Sequence, residues 1–186
     1  MAGSFSGSCL AGSVTGYPRG VRVYVPCTLA MLEQLVADRS VRPVNGTAFA
    51  VTPSLREAYA EGDDEELAEV ALGEAALASL RLLAAEDGAS GLPQRRAVLV
   101  ADAEGATARP DLDDAVVRLS APVDLDDVIA VYVDNADAEP AVRAAIDVVD
   151  AADLGDEDAE FTVGDAQDHD MAWYATQELP FLLDLL

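Results

Sequence analysis

The sequence predicts an α+β domain: a single mixed β-sheet of about five strands with helices packed against it, in the order β-α-β-α-α-β-β-β-α-α. Three observations lead there. Short β-branched runs alternate with segments of helical period. Of the 186 residues, 51% are apolar, enough for one sizeable core. Beyond residue 20 no linker-like stretch and no internal repeat divides the chain, so 21–186 is expected to be one domain.

The elements follow in order. Val21, Val23 and Val25 alternate with Arg22 and Tyr24, the pattern of a half-buried strand that Pro26 ends. Thr28 is placed to cap a helix with Leu29, Leu32, Leu35 and Val36 on one face. Asn45-Gly46 marks a turn before a second strand, "TAFAVT", 47–52. Thr52-Pro53 has the form of an N-cap followed by proline at the first helical position, and a short helix runs to Tyr59. Gly62 breaks it. The longest helix is expected over 63–87, with four acids in its first turn and Gly73 as a site of close packing. "RRAVLVAD", 95–102, is a continuous apolar strand suited to a central position. "AVVRLS", 115–120, and "DVIAVYVD", 127–134, are two more. Asp137 or Glu139 opens a helix with Val142, Ile146 and Val149 on one face. A last helix is expected from Asp165 to Leu179, ended by Pro180.

Composition bounds partners and chemistry. The formal net charge is -24, from 35 acids and 11 bases. A phosphate-binding surface needs clustered positive charge, so neither nucleic acid nor an anionic membrane surface is an expected partner. The charge is uneven: residues 1–100 carry a net of -4 and residues 101–186 a net of -20, with eight acids and no base between 151 and 170. Every base is Arg, and the chain has no Lys. Together with abundant Ala, Val, Leu and Asp, this points to a GC-rich bacterial source.

Residues 1–20 are small, polar and glycine-rich, with neither the basic start nor the apolar core of a secretory signal. They are expected to be a disordered tail or a misplaced gene start, with Val21 as the candidate initiator. No apolar run approaches the length of a membrane span. Two cysteines, Cys9 and Cys27, make no disulfide framework, which fits a cytoplasmic protein.

"VRVYVPCTLAML", "GTAFAVTPSLREAYAEGDDEELAEVAL" and "WYATQEL" resemble segments of an uncharacterised actinobacterial protein family, a domain of unknown function, whose members begin Met-Arg-Val-Tyr-Val-Pro. The resemblance covers about residues 21–182. It implies a start at Val21, and it supplies no activity, cofactor or catalytic residue. Cys27 stands where the family pattern implies Ala, which argues against a catalytic thiol.

The missing residue types exclude several chemistries. Without Lys there is no Schiff-base lysine and no ordinary phosphate-binding P-loop. With one histidine, His169, two-His metal sites are excluded. His169 sits between Asp168 and Asp170 and is expected at the surface; no G-x-S-x-G elbow supplies it with a nucleophile. The catalytic candidates are carboxylates at strand ends: Asp102, Glu104 and Asp134. "DAEGAT", 102–107, resembles the nucleophile loop of haloacid-dehalogenase-type phosphatases, but Glu104 replaces the second Asp, the Thr is one place late and the lysine is missing. Asp156, Asp158 and Glu160 have the alternation of a calcium loop, but Phe161 stands where an EF-hand needs Gly, and that reading fails. The expected interaction residues are Asp156, Asp158, Glu160, Trp173 and Tyr174, the two aromatics splayed about 100° apart on the last helix.

The reading is therefore an acidic intracellular protein-interaction or regulatory module in preference to an enzyme, with no cofactor and with a basic protein as its expected partner. One alternative is a Mg²⁺-dependent hydrolase using Asp102, Glu104 and Asp134, which requires those carboxylates to converge in a pocket. Another is an acidic mimic engaging a basic nucleic-acid-binding protein.

Overall fold

A computed structural model describes residues 20–186. The expectation of a disordered or misassigned segment over residues 1–20 falls, for residues 1–19, outside the described residues. Strand β1 (Val21–Cys27) leads through Thr28, whose hydroxyl accepts from the Met31 amide, into helix α1 (Leu29–Asp38). A two-residue strand β2 (Ser40–Val41) precedes β3 (Thr47–Phe49). Asn45 and Gly46 between them both have positive φ, and a side chain at Gly46 would collide with the Leu119 carbonyl. Thr52 caps α2 (Pro53–Ala58). Asp63 and Glu66 form a reciprocal capping box at the start of α3 (Asp64–Ala85).

Strands β4 (Ala97–Ala103), β5 (Ala106–Ala108), β6 (Val116–Leu119), β7 (Val123–Asp124) and β8 (Val128–Asp134) follow. Three helices come next: α4 (Glu139–Ile146), α5 (Val149–Asp153) and α6 (Glu157–Gln167). Strand β9 (Met171–Ala175) and helix α7 (Leu179–Asp184) close the described chain.

The main sheet has seven strands in the order β5-β6-β3-β1-β4-β8-β9, and β2 pairs with β7 in a separate ribbon. The class is α+β as expected, and all five expected strands are present. The single sheet, its strand number and its mixture differ from expectation: among the described residues the main sheet has seven strands, a separate ribbon has two more, and every pairing is antiparallel. β4 is interior, between β1 and β8, which accounts for its unbroken apolar run.

The pleat splits the core in two. Val23, Val25, Leu99, Val131 and Val133 face α1, α7 and the β2–β7 ribbon. Tyr24, Val98, Val100 and Ala130 face α2 and α3. The far end of α3, through Leu80 and Leu83, packs on Val142, Val149, Val163 and Ala166 of α4, α5 and α6.

The final helix is the main correction. Helix α6 starts at Glu157, capped by Asp156, and stops at Gln167; 171–175 is strand, not helix. "MAWYA" lacks a period that separates strand from helix, and its pairing with β8 decides. Gly73 also differs from expectation. A Cβ there would meet nothing within 4 Å, so the glycine does not serve close packing.

Candidate functional site

The antiparallel pairing of β4 with β8 determines where the carboxylates fall. Ala97 lies opposite Val133 and Ala101 opposite Val128. The carboxyl ends of the two strands therefore lie at opposite ends of the sheet. Asp102 and Asp134 are separated by about six residues of strand, roughly 20 Å, and do not converge. Asp102 sits opposite Arg22 of β1 and pairs with its guanidinium at 3.2 Å. Asp102 and Glu104 share a cavity of about 350 Å³ with Asp124 and Asp127. Among the described residues no group of three or more His, Cys, Asp or Glu side chains is arranged to hold a metal ion.

Asp134 has a different environment. It ends β8 fully buried, beside Arg96 at the start of β4, with side-chain exposures of 0% and 2%. Its Oδ1 accepts from Arg96 Nη2 at 2.7 Å; its Oδ2 accepts from Arg96 Nε at 2.9 Å and from the Arg96 amide at 2.8 Å. The planar guanidinium suits this two-pronged contact. Arg96 also donates to Gln167 Oε1 at 2.7 Å and to the His169 carbonyl at 2.8 Å, while Gln167 donates to the Gly73 carbonyl at 3.1 Å. One ion pair thus ties β4 and β8 to the end of α6, to the turn after it and, through Gln167, to α3. With both oxygens engaged and no exposure, Asp134 has no free face for substrate. Its role is to hold Arg96.

The node fixes two surfaces on either side of the turn 168–170. The first is the outer face of α6. Ala159, Val163 and Ala166 point inward, which turns Phe161 outward at 77% exposure. Around it Glu157, Glu160, Asp165 and Asp168 line an open concavity of about 560 Å³. Asp158 is exposed on the same helix. Asp156 has a structural task, accepting from the Ala159 amide at 2.9 Å as the α6 cap.

The second surface is β9, the last strand of the sheet. On a strand Trp173 and Tyr174 point to opposite faces, not 100° apart. Tyr174 packs against the α1–α7 core, while Trp173 is 57% exposed, opposite Tyr132 of β8. His169, expected at the surface, is half-buried in the turn. It lines a cavity of about 440 Å³ together with Glu69, Gly73, Tyr132 and Asp170.

Two groups show how burial and pairing set reactivity. Cys27 is fully buried in the core, which pushes its thiol up to about 12 and removes it as a nucleophile near neutral pH. Arg81 of α3 grips Asp153 of α5 with two bonds of 2.8 Å, and this holds the Asp153 carboxyl below its ordinary range.

Arg96 and Phe161 were missed by the sequence reading. Phe161 was legible: the inward set 159, 163 and 166 leaves it outside. Arg96 was not, because its partner is 38 residues away and only the strand pairing brings them together.

Fold and site define an antiparallel α+β protein in which a buried ion pair braces an acidic helix against an edge strand. The chain belongs to a family of unknown function, DUF6912, which it matches over residues 21–183. No curated protein and no solved structure matches it. No helix among the described residues is long and apolar enough to cross a membrane.

Proposed function

We propose that the protein is a non-enzymatic interaction module whose α6 face engages a basic protein. The observation that carries this reading is Phe161, exposed at the centre of four carboxylates. An aromatic ring supplies contact area that excludes water on binding, and the surrounding charge selects the partner's sign and speeds encounter. Asp158, exposed on the same helix, adds to that field. A basic nucleic-acid-binding protein is one partner of this kind, and competition by duplex DNA for that partner would identify mimicry. The hydrolase alternative has no support in the separated Asp102 and Asp134.

The test is capture from the native host with wild type, Phe161→Ala and the double reversal Asp158→Arg/Glu160→Arg, followed by kinetics on the purified partner. Asp156 is left intact because it caps α6. The captured protein is expected to be basic. The reversal should slow association and flatten its salt dependence, while Phe161→Ala should speed dissociation. A partner that binds all three proteins equally at every ionic strength refutes the reading.

A further inference from the structure

β9 is an edge with unusual properties. Its sequence, Met171–Ala175, contains no charge, proline or glycine, and none of its residues is buried. Exposed strand edges normally carry such residues, or a cover, to block pairing with other chains. The opposite edge, β5, has only three residues.

The direction of the β9 backbone groups follows from two contacts. The Ala175 amide donates to Glu178 Oε2 at 2.8 Å, so it is turned away from β8. The Asp134 amide donates to the Arg96 carbonyl at 3.1 Å, so it is turned towards β4 and away from its β9 partner Met171. Antiparallel pairs alternate between bonded and non-bonded. The N–H and C=O groups of Met171 and Trp173 therefore point outward, where a new strand would meet them. Trp173 lies on the α3-facing side of the sheet, next to the 440 Å³ cavity lined by Glu69, Tyr132 and Asp170. Arg96 lines the same cavity but is neutralised by Asp134. The cavity so offers two carboxylates and an aromatic ring, a setting for a cation.

We propose that the β9 edge takes an extended segment of the basic partner as an eighth strand, and that the cavity receives an Arg or Lys side chain from that segment. This rests on the reading of the protein as a module for a basic partner, but it uses a surface other than α6. Strand addition draws affinity from main-chain hydrogen bonds and specificity from pockets for alternate side chains. The new strand would lie about 4.8 Å beyond β9, within reach of the cavity for a long side chain. A second copy of this chain is the poorer occupant, because each carries a net charge of -24. Charge complementarity selects a basic segment instead.

The experiment uses a capped nine-residue peptide of alternating Thr and Val with a central Arg, and the full-length protein. Trp173 is the only tryptophan, so its emission reports this edge alone. The Arg peptide should shift that emission to the blue in a saturable way. A Gln or Glu at the centre should weaken binding tenfold or more. N-methylation of the peptide along the edge that meets β9 should abolish it. Met171→Pro, which removes an outward N–H and no ladder bond, should do the same with β-sheet content retained. Glu69→Gln/Asp170→Asn should erase the preference for Arg over Gln. No blue shift at millimolar peptide, or equal binding of the N-methylated peptide, overturns the proposal. So does loss of peptide binding in Phe161→Ala, which would put the peptide on α6. If the peptide fails while host-partner binding still depends on Phe161, strand addition falls and the module reading stands.

Discussion

Replacing Arg96 by Met is expected to cost about 4 kcal/mol, because truncating one member of a buried ion pair leaves the other uncompensated, typically at ~3–5 kcal/mol. In the wild type the Asp134 carboxylate, at 0% exposure, has three donors, all from Arg96. The substitution leaves it the backbone amide alone. It also strips the Gln167 amide oxygen and the His169 carbonyl of their donor. For a domain of this size the loss corresponds to a fall in Tm of roughly 10 °C. The double variant Arg96→Met/Asp134→Leu removes both charges and should recover most of it, giving a coupling of at least ~2 kcal/mol in a double-mutant cycle. Urea unfolding followed by far-UV circular dichroism supplies the free energies. Hydrogen exchange supplies the location: amides of Met171–Ala175 and of the turn before them should open first in Arg96→Met. A cost below ~1 kcal/mol, or a double variant no better than the single, would refute the reasoning, since it would mean that the pair is not shielded from water as its burial implies.

Three further outcomes follow from the structure. In a Cys9→Ser background the Cys27 thiol, pushed up to about 12 by burial, should give no reaction with Ellman's reagent at pH 8 until denaturant is added; a full equivalent released from the native state would contradict its burial. Asp153, held low chiefly by its hydrogen bonds from Arg81, stabilises the fold above its unfolded pKa of ~3.9 and loses that contribution as pH falls through the folded value. Asp153→Asn should therefore lower Tm at pH 7 by an amount that shrinks under acid, and the exposed setting limits the effect to about 1 kcal/mol. Glu74 runs the other way: burial first, and Asp113 next, raise its carboxyl, so its ionisation opposes folding, and Glu74→Gln should raise Tm at pH 7 with the gain vanishing below its unfolded pKa of ~4.3.

The sequence by itself determined the α+β class, the strands β1, β3, β4, β6 and β8, the caps at Thr28 and Thr52, and the acidity of the second half. Those features are local: alternation, a capping hydroxyl and a charge count need no distant partner. The interior place of β4 was legible for the same reason, because a strand covered on both faces must be apolar throughout. Only the tertiary structure decided the rest. Asp102 and Asp134 end two similar strands, yet antiparallel pairing puts them at opposite ends of the sheet. Asp134 looked like a catalytic candidate until Arg96, 38 residues away, occupied both its oxygens. "MAWYA" became a strand because β8 offered an unpaired edge, and that turned Trp173 outward and Tyr174 inward. Register and edge position are properties of pairs of segments, and no period within one segment encodes them.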